Sequence, residues 1–157
     1  MVRSCLTSGP AETQVLGEKI ALFLQPGDVV LLHGELGAGK TELVRGLSAG
    51  LGLPPELVSS PTFALVHQYP ARIPLIHVDL YRLPVLEDDF LLELEEYWHH
   101  PVVTVIEWAE RLGPHLPEEY LDITLAWVDD QVRSVEIFGK GSRGKILAAA
   151  CQACWPD

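Results

Sequence analysis

Hydrophobic positions divide the chain into segments of helical and of strand periodicity. Residues 11–25 carry apolar side chains at i, i+4, i+7 and i+8, which predicts a helix, and similar spacing predicts helices over 39–51 and 86–98. The short apolar runs 28–34 and 102–107 are rich in β-branched residues, which is typical of buried strands. The pattern therefore predicts helices that alternate with buried strands.

Further strands are predicted on either side of the third helix. Residues 62–82 fit two strands joined by the turn YPARIP, and residues 120–128 and 132–139 alternate in the manner of a β-hairpin. The order of elements predicts an α/β sandwich around a mixed sheet, in one domain over residues 1–139. We expect residues 140–157, which are basic and then alanine-rich, to form a tail that is partly disordered or loosely helical.

Composition limits the classes of protein to which the chain can belong. A length of 157 residues with 48% apolar content suits one globular domain. No apolar run is long enough for a transmembrane helix, and the first residues lack the apolar core of a signal peptide, so we expect a cytoplasmic protein. Three cysteines are too few for a disulfide framework, and the pair Cys151 and Cys154 lacks the second pair that a zinc site needs.

The charge of the chain bears on its partners. The formal net charge is −11 and is unevenly spread, because the segment from Arg133 onward has four basic and two acidic residues and the rest of the chain is strongly acidic. A protein that binds nucleic acid by itself normally presents a basic face. The charge therefore disfavours direct binding of RNA or DNA, and any role on a nucleic acid should run through a partner protein.

Residues 34–41, GELGAGKT, match the phosphate-binding pattern GxxxxGKS/T and lie between a predicted strand and a predicted helix. Glycine lets the backbone approach a phosphate, and the amides at the start of the helix form an anion site. The motif predicts binding of a nucleoside triphosphate with Mg²⁺, and it indicates a three-layer P-loop NTPase-like sandwich with a mixed, mostly parallel central sheet. The expected cofactor contacts from this loop are Glu35, Leu36, Gly37, Ala38, Gly39, Lys40 and Thr41.

Two carboxylates follow apolar strands and are candidates for catalysis. Asp79 comes after PLIHV, and Glu107 comes after VVTVI. Ligands of open α/β sheets bind at the carboxyl ends of parallel strands, so both acids are expected near the phosphates. We choose Glu107 as the Mg²⁺ ligand beside Thr41, with Asp79 to orient the attacking water, but the reverse assignment is left open.

Two other features have alternative interpretations. Residues 59–63, SSPTF, form either a turn between a helix and a strand or a switch-like segment with Thr62 near the γ-phosphate. Trp108, directly after Glu107, is either a core side chain or a contact of the site.

Four motifs occur together in the chain: GELGAGKT at 34–41, SPTF at 60–63, HVDLYR at 77–82 and IEWAERLG at 106–113. Their order and spacing resemble the bacterial TsaE (YjeE) family of small P-loop ATPases, over about residues 10–139. The resemblance implies that Lys40 and Thr41 serve the phosphates and Mg²⁺, that Glu107 is the second metal ligand, and that Asp79 supports hydrolysis. It also implies cofactor contacts from Thr62, from Trp108 and, near the base, from Arg133. Tyr81 and Arg82 match positions of the family motifs without an assigned role.

The resemblance further implies a role in modifying tRNA. The family hydrolyses ATP and works with the TsaB–TsaD heterodimer, in which TsaD transfers a threonylcarbamoyl group to adenosine 37 of tRNA. Two other functions are compatible with a P-loop: a small-molecule kinase, and a binding module in which hydrolysis is incidental. The kinase is disfavoured because no arginine-rich lid segment is present in the sequence.

Overall fold

The computed structural model describes residues 3–58, 66–83 and 85–153. Within these ranges the chain forms seven strands: β1 (Arg3–Ser8), β2 (Val29–His33), β3 (Val66–Tyr69), β4 (Leu75–Asp79), β5 (Val103–Glu107), β6 (Tyr120–Trp127) and β7 (Val132–Lys140). It also forms four α-helices: α1 (Pro10–Ala21), α2 (Lys40–Gly50), α3 (Asp88–Tyr97) and α4 (Gly141–Ala153). Two 3-10 helices span Pro55–Leu57 and Ala109–His115.

All seven strands belong to one sheet with the order β1-β7-β6-β2-β5-β4-β3. The four central strands, β6, β2, β5 and β4, are parallel. Strands β3 and β7 are antiparallel to their neighbours, and β1 is antiparallel to β7, so β1 points the same way as the central strands. The predicted α/β class with a mixed, mostly parallel sheet is confirmed.

Apolar side chains cover both faces of the sheet, which makes the sandwich three-layered. In β2, Val30 and Leu32 join the core shared with α1 and α2, whereas Val29 and Leu31 join the core shared with α3. Neighbouring residues of a strand point to opposite faces, so a strand buried on both faces is a continuous apolar run. The unbroken VVLL segment of the sequence is explained by this position at the centre of the sheet.

Helix α2, which follows the phosphate-binding motif, packs closely on α1. A Cβ atom at Gly46 of α2 would lie 2.0 Å from the backbone oxygen of Gln14 in α1, so only glycine permits this approach. Leu43, Val44 and Leu47 are fully buried beside this contact. The start of α2 is therefore held firmly against the sheet and α1.

The C-terminal segment, for which a partly disordered or loosely helical tail is predicted, is helical from residue 141 to residue 153. Residues 141–153 form α4, and Leu147 and Cys151 are buried against the sheet. The guanidinium of Arg143 donates two hydrogen bonds to Asp28, of 2.9 Å to Oδ1 and 2.7 Å to Oδ2, and another of 2.8 Å to the carbonyl of Phe23. These contacts attach the helix to the start of β2.

Strand β1 was not predicted from the sequence, because its six residues lack a clear apolar alternation. The described cysteines, Cys5 and Cys151, are free thiols, and burial raises the pKa of Cys5 to about 11. Cys154 lies outside the described residues. None of the helices formed by the described residues combines the length and the apolar character required to cross a membrane.

Candidate nucleotide-binding site

The GELGAGKT loop leaves β2 after His33 and enters α2 at Lys40. Gly34 has φ 148° and lies under β6, where a Cβ atom would come within 2.5 Å of the carbonyl oxygen of Leu125. Gly39 has φ 103°, in the left-handed region, and directly precedes the first residue of the helix. The loop thus takes a path that side chains would block, and it ends where the free amides of a helix N-terminus attract anions.

Lys40 is buried, and only 6% of its surface is exposed. Its ammonium group donates a hydrogen bond to the carbonyl of Gly34, at the other end of the loop. The same nitrogen lies 4.6 Å from the centroid of the Trp108 ring. A neutral carbonyl and an aromatic face therefore hold the positive charge across the loop.

The loop and the ends of two strands enclose a cavity of about 270 Å³. Asp79 and Glu107 end β4 and β5 and are partners in the parallel register of these strands. Both are buried, with 4% and 2% of their surfaces exposed. The side chains predicted to act together therefore share one cavity, which is lined by Leu36, Gly37, Gly39, Lys40, Thr41, Glu42, Asp79, Glu107 and Trp108.

The oxygen atoms around this cavity suit Mg²⁺ as the expected cofactor. Mg²⁺ prefers oxygen ligands and is commonly held by one or two carboxylates together with phosphate oxygens. Thr41 supplies a hydroxyl, and Asp79 and Glu107 supply carboxylates. No group of three or more His, Cys, Asp or Glu side chains suited to a metal occurs among the described residues.

Each carboxylate is oriented by a hydrogen bond within the described structure. Oδ1 of Asp79 accepts a bond of 2.9 Å from the backbone N–H of Tyr81. Oε2 of Glu107 lies 2.5 Å from Nε2 of His77, a fully buried histidine of β4. No role was predicted for His77 itself, although its position two residues before Asp79 puts both side chains on one face of the strand.

Trp108 has an unusual backbone conformation for its residue type. Its φ of 60° lies in the left-handed region, and among the described residues it is the only one other than glycine with positive φ. Such a conformation costs roughly 1–3 kcal/mol and is concentrated at functional sites. The ring of Tyr81 packs against the indole with 4.9 Å between the centroids. Trp108 lines the cavity and also packs against the core on that side of the sheet, and its contact with a bound nucleotide stays a prediction.

Arg133 approaches the loop from β7. Its Nη2 donates a 3.3 Å hydrogen bond to the carbonyl of Gly37, and its Nη1 bonds the carbonyls of Asp129 and Val132. Its predicted place near the base stays a prediction. Glu35 is exposed, and its carbonyl accepts the N–H of Ala38, which closes the turn of the loop. Thr62 and the rest of SPTF lie outside the described residues.

His33, at the end of β2, was also missed by the sequence analysis. Its Nε2 lies 2.8 Å from Oδ2 of Asp122, and its Nδ1 lies 3.2 Å from Oε2 of Glu110. The hydrogen bond to Asp122 is the main cause that raises the pKa of His33 above its usual value, and burial opposes it. The two acids come from β6 and from the 3-10 helix that follows β5, so no sequence signal joins them to His33.

This pairing predicts that His33→Gln destabilises the protein more at low pH than at high pH. A raised pKa means that the folded state favours protonated His33. The contribution of this residue to the free energy of unfolding is therefore complete below the pKa of histidine in the unfolded chain, about 6.5, and is lost as pH rises through the folded-state pKa. At the acidic end of the range we expect His33→Gln to lower the free energy of unfolding by about 1 kcal/mol. The value is small because His33 and its acidic partners are partly exposed. Urea unfolding between about pH 5.5 and 8.5 measures it. The exposed His115→Gln is the control, and a loss that is constant with pH would contradict the prediction.

The chain is similar to known proteins over most of its length. A family model described as threonylcarbamoyl adenosine biosynthesis protein TsaE matches residues 7–135. The chain is 38% identical to the tRNA threonylcarbamoyladenosine biosynthesis protein TsaE of Bacillus subtilis (strain 168), over 90% of this chain and 88% of the relative. It is 40% identical to the protein of the same name from Treponema pallidum (strain Nichols), over 85% of this chain and 98% of the relative.

The fold is likewise similar to that of a solved structure. The crystal structure of Bacillus subtilis YdiB superposes with a TM-score of 0.81 at 31% sequence identity, covering 98% of this chain and 95% of that chain. The P-loop NTPase-like fold predicted from the sequence is confirmed by this similarity. With the family match spanning most of its length and its relatives covered almost end to end, the chain belongs to the TsaE family.

Proposed function

We propose that this protein is a Mg²⁺-dependent ATPase required for threonylcarbamoyladenosine modification of tRNA at position 37, and that it acts on the TsaB–TsaD complex rather than on tRNA. The observation that carries the proposal is the single cavity in which Lys40 and Thr41 of the P-loop meet Asp79 and Glu107. A lysine, a hydroxyl and two carboxylates around a phosphate-binding loop are the groups that ATP hydrolysis requires.

In the proposed reaction, the amides of the loop bind the phosphates of ATP. Lys40 exchanges its bond to the Gly34 carbonyl for the β- and γ-phosphate oxygens, where it stabilises the charge that develops during transfer. The carboxylate of Asp79 accepts a hydrogen bond from the attacking water and orients it toward the γ-phosphorus. Water adds to phosphorus as the bond to the ADP oxygen breaks, which gives ADP and phosphate.

Thr41 and Glu107 would hold Mg²⁺ in this scheme. The metal, when bound, neutralises negative charge on the phosphate oxygens. The burial of Glu107 keeps its carboxylate away from bulk water, and this strengthens its attraction for a cation. Arg133, which bonds the carbonyl of Gly37, is proposed to lie beside the base of the nucleotide.

The proposed indirect action on tRNA rests on charge. The net charge of −11 opposes the approach of a polyanion, whereas the local field of Lys40 and the loop amides suffices for a triphosphate. A contact with a partner protein does not require a basic face. The proposed partner is the TsaB–TsaD heterodimer, and the released energy would activate or reset that assembly between turnovers.

The proposal is tested by phosphate release from ATP with no added acceptor, measured with and without TsaB–TsaD. We expect Mg²⁺-dependent release that the heterodimer stimulates, and we expect the two to co-purify with this chain in the presence of ATP. Transfer of the γ-phosphate to a metabolite, without stimulation by TsaB–TsaD, would instead identify a kinase. Nucleotide binding without any hydrolysis in either condition would leave only a binding module and would refute the ATPase.

A further inference from the structure

His77 is a buried polar side chain that touches the candidate site through one other residue. None of its surface is exposed, and it is absent from the lining of the cavity. Its Nε2 lies 2.5 Å from Oε2 of Glu107, whose carboxylate does line the cavity. Any effect of His77 on a bound nucleotide or metal must therefore pass through Glu107.

The sheet fixes this contact. His77 pairs with Val105 and Asp79 pairs with Glu107 in the parallel register of β4 and β5, so His77 lies one step below the two acids on the same face. Both strands are buried along their whole length. The imidazole and the carboxylate are thus held by backbone that has little freedom to move, and the short distance follows from the register.

The hydrogen bonding of His77 is one-sided. With Glu107 ionised, the contact requires the proton on Nε2, and Nδ1 of the same ring is buried without a partner among the described residues. A buried polar atom that lacks a partner destabilises the folded state. An apolar residue would avoid that cost in a strand surrounded by valine and isoleucine. A histidine retained at such a place suggests a requirement that is separate from stability.

We infer that His77 is a positioning residue for the metal ligand: it donates Nε2–H to Oε2 of Glu107 and thereby fixes the direction in which the carboxylate faces the phosphate-binding loop. The bond occupies one carboxylate oxygen and removes rotational freedom of the side chain. The inference rests on the proposed function, because it assumes that Glu107 binds Mg²⁺ together with ATP. Hydrogen bonds to metal-binding side chains commonly control metal affinity in this way.

The expected effect is a selective loss of metal affinity. In His77→Leu, Mn²⁺ used in place of Mg²⁺ should bind the protein with ADP about 10- to 100-fold more weakly, which is the usual effect of losing such a bond. The affinity for ADP in EDTA should be unchanged, since the loop is untouched. Electron paramagnetic resonance of free Mn²⁺ measures the first quantity, and calorimetry measures the second.

Two amide variants of His77 distinguish loss of the hydrogen bond to Glu107 from general damage to the fold. His77→Gln carries its amide nitrogen at the distance of Nε2 and should retain most of the Mn²⁺ affinity. His77→Asn is as polar but too short to reach Glu107, so it should resemble His77→Leu. If His77→Leu fails to fold, the comparison of His77→Gln with His77→Asn still shows whether the hydrogen bond to Glu107 controls the Mn²⁺ affinity. The matched control is His67→Gln, because His67 is the register partner of His77 on β3 and bonds Tyr69 instead.

The outcomes distinguish failure of this inference from failure of the proposed function. If the unmodified protein binds no Mn²⁺ with nucleotide, the proposed function and the inference both fail. If it binds Mn²⁺ and the Gln and Asn variants bind it equally well, only the inference is overturned. It is also overturned if His77→Asn loses metal-free ADP binding to the same extent as Mn²⁺ binding, because that result indicates general disruption.

Discussion

Lys40→Ala is expected to weaken ATP binding by about 10- to 100-fold. Lys40 is the only lysine or arginine among the side chains that line the described cavity. A hydrogen bond to a charged group contributes about 1.5–3 kcal/mol to binding, which corresponds to this loss of affinity. The ammonium group of Lys40 bonds the Gly34 carbonyl and faces Trp108, so its place beside the loop suits a contact with phosphate. Isothermal titration with ATP and Mg²⁺ measures the change.

Lys19→Ala is the control for this prediction. Lys19 lies in the last turn of α1, away from the loop, so its removal changes the net charge equally without touching the phosphates. Thermal unfolding of both variants shows whether the fold is retained. An ATP affinity of Lys40→Ala equal to that of Lys19→Ala would mean that the loop does not use its lysine, and the nucleotide site as proposed would be wrong.

Glu107→Ala and Asp79→Ala are expected to impair hydrolysis in different ways. Loss of Glu107 should raise the Mg²⁺ concentration needed for half-maximal rate and lower kcat by about 100-fold or more, the scale found when an electrostatic stabiliser of a transition state is removed. Loss of Asp79 should lower kcat with little change in the Mg²⁺ requirement, because its proposed task is to orient water. Phosphate release across a Mg²⁺ titration measures both quantities.

These two variants are also controls for each other. The carboxylates are register partners at the ends of adjacent strands, and they are buried to nearly the same degree. General damage at this edge of the sheet would therefore affect both variants alike. If Asp79→Ala raises the Mg²⁺ requirement while Glu107→Ala leaves it unchanged, the roles of the two acids are reversed.

Local signals suffice for the parts of the fold and site that are contiguous in sequence. Strands β2 and β5 were predicted within a residue or two because each is a buried apolar run, and the P-loop is a single motif. The meeting of Asp79 and Glu107 also follows from a local rule, since both end parallel strands of one sheet. Their catalytic roles are a separate matter and stay predictions.

Features that depend on distant contacts were not accessible from the sequence. Strand β1 exists because it pairs with residues 132–137 at the other end of the chain. The contact between His77 and Glu107 joins residues 30 positions apart, and it depends on which strands are neighbours. His33 is bonded by two acids from separate elements. Periodicity describes which face of an element is apolar, but it does not identify what that face will meet.

The bond between Arg143 and Asp28 bears on where the chain can be shortened. The family match ends at residue 135, which invites a minimal fragment that stops after β7. Such a fragment would leave Asp28, whose side chain is only 5% exposed, without its cation, and because Arg143 is 26% exposed the loss of this partly buried pair is expected to cost about 1–3 kcal/mol. That is a large part of the stability of a typical domain. Because Asp28 directly precedes the strand that leads into the P-loop, the damage from trimming the C-terminus would reach the phosphate-binding loop.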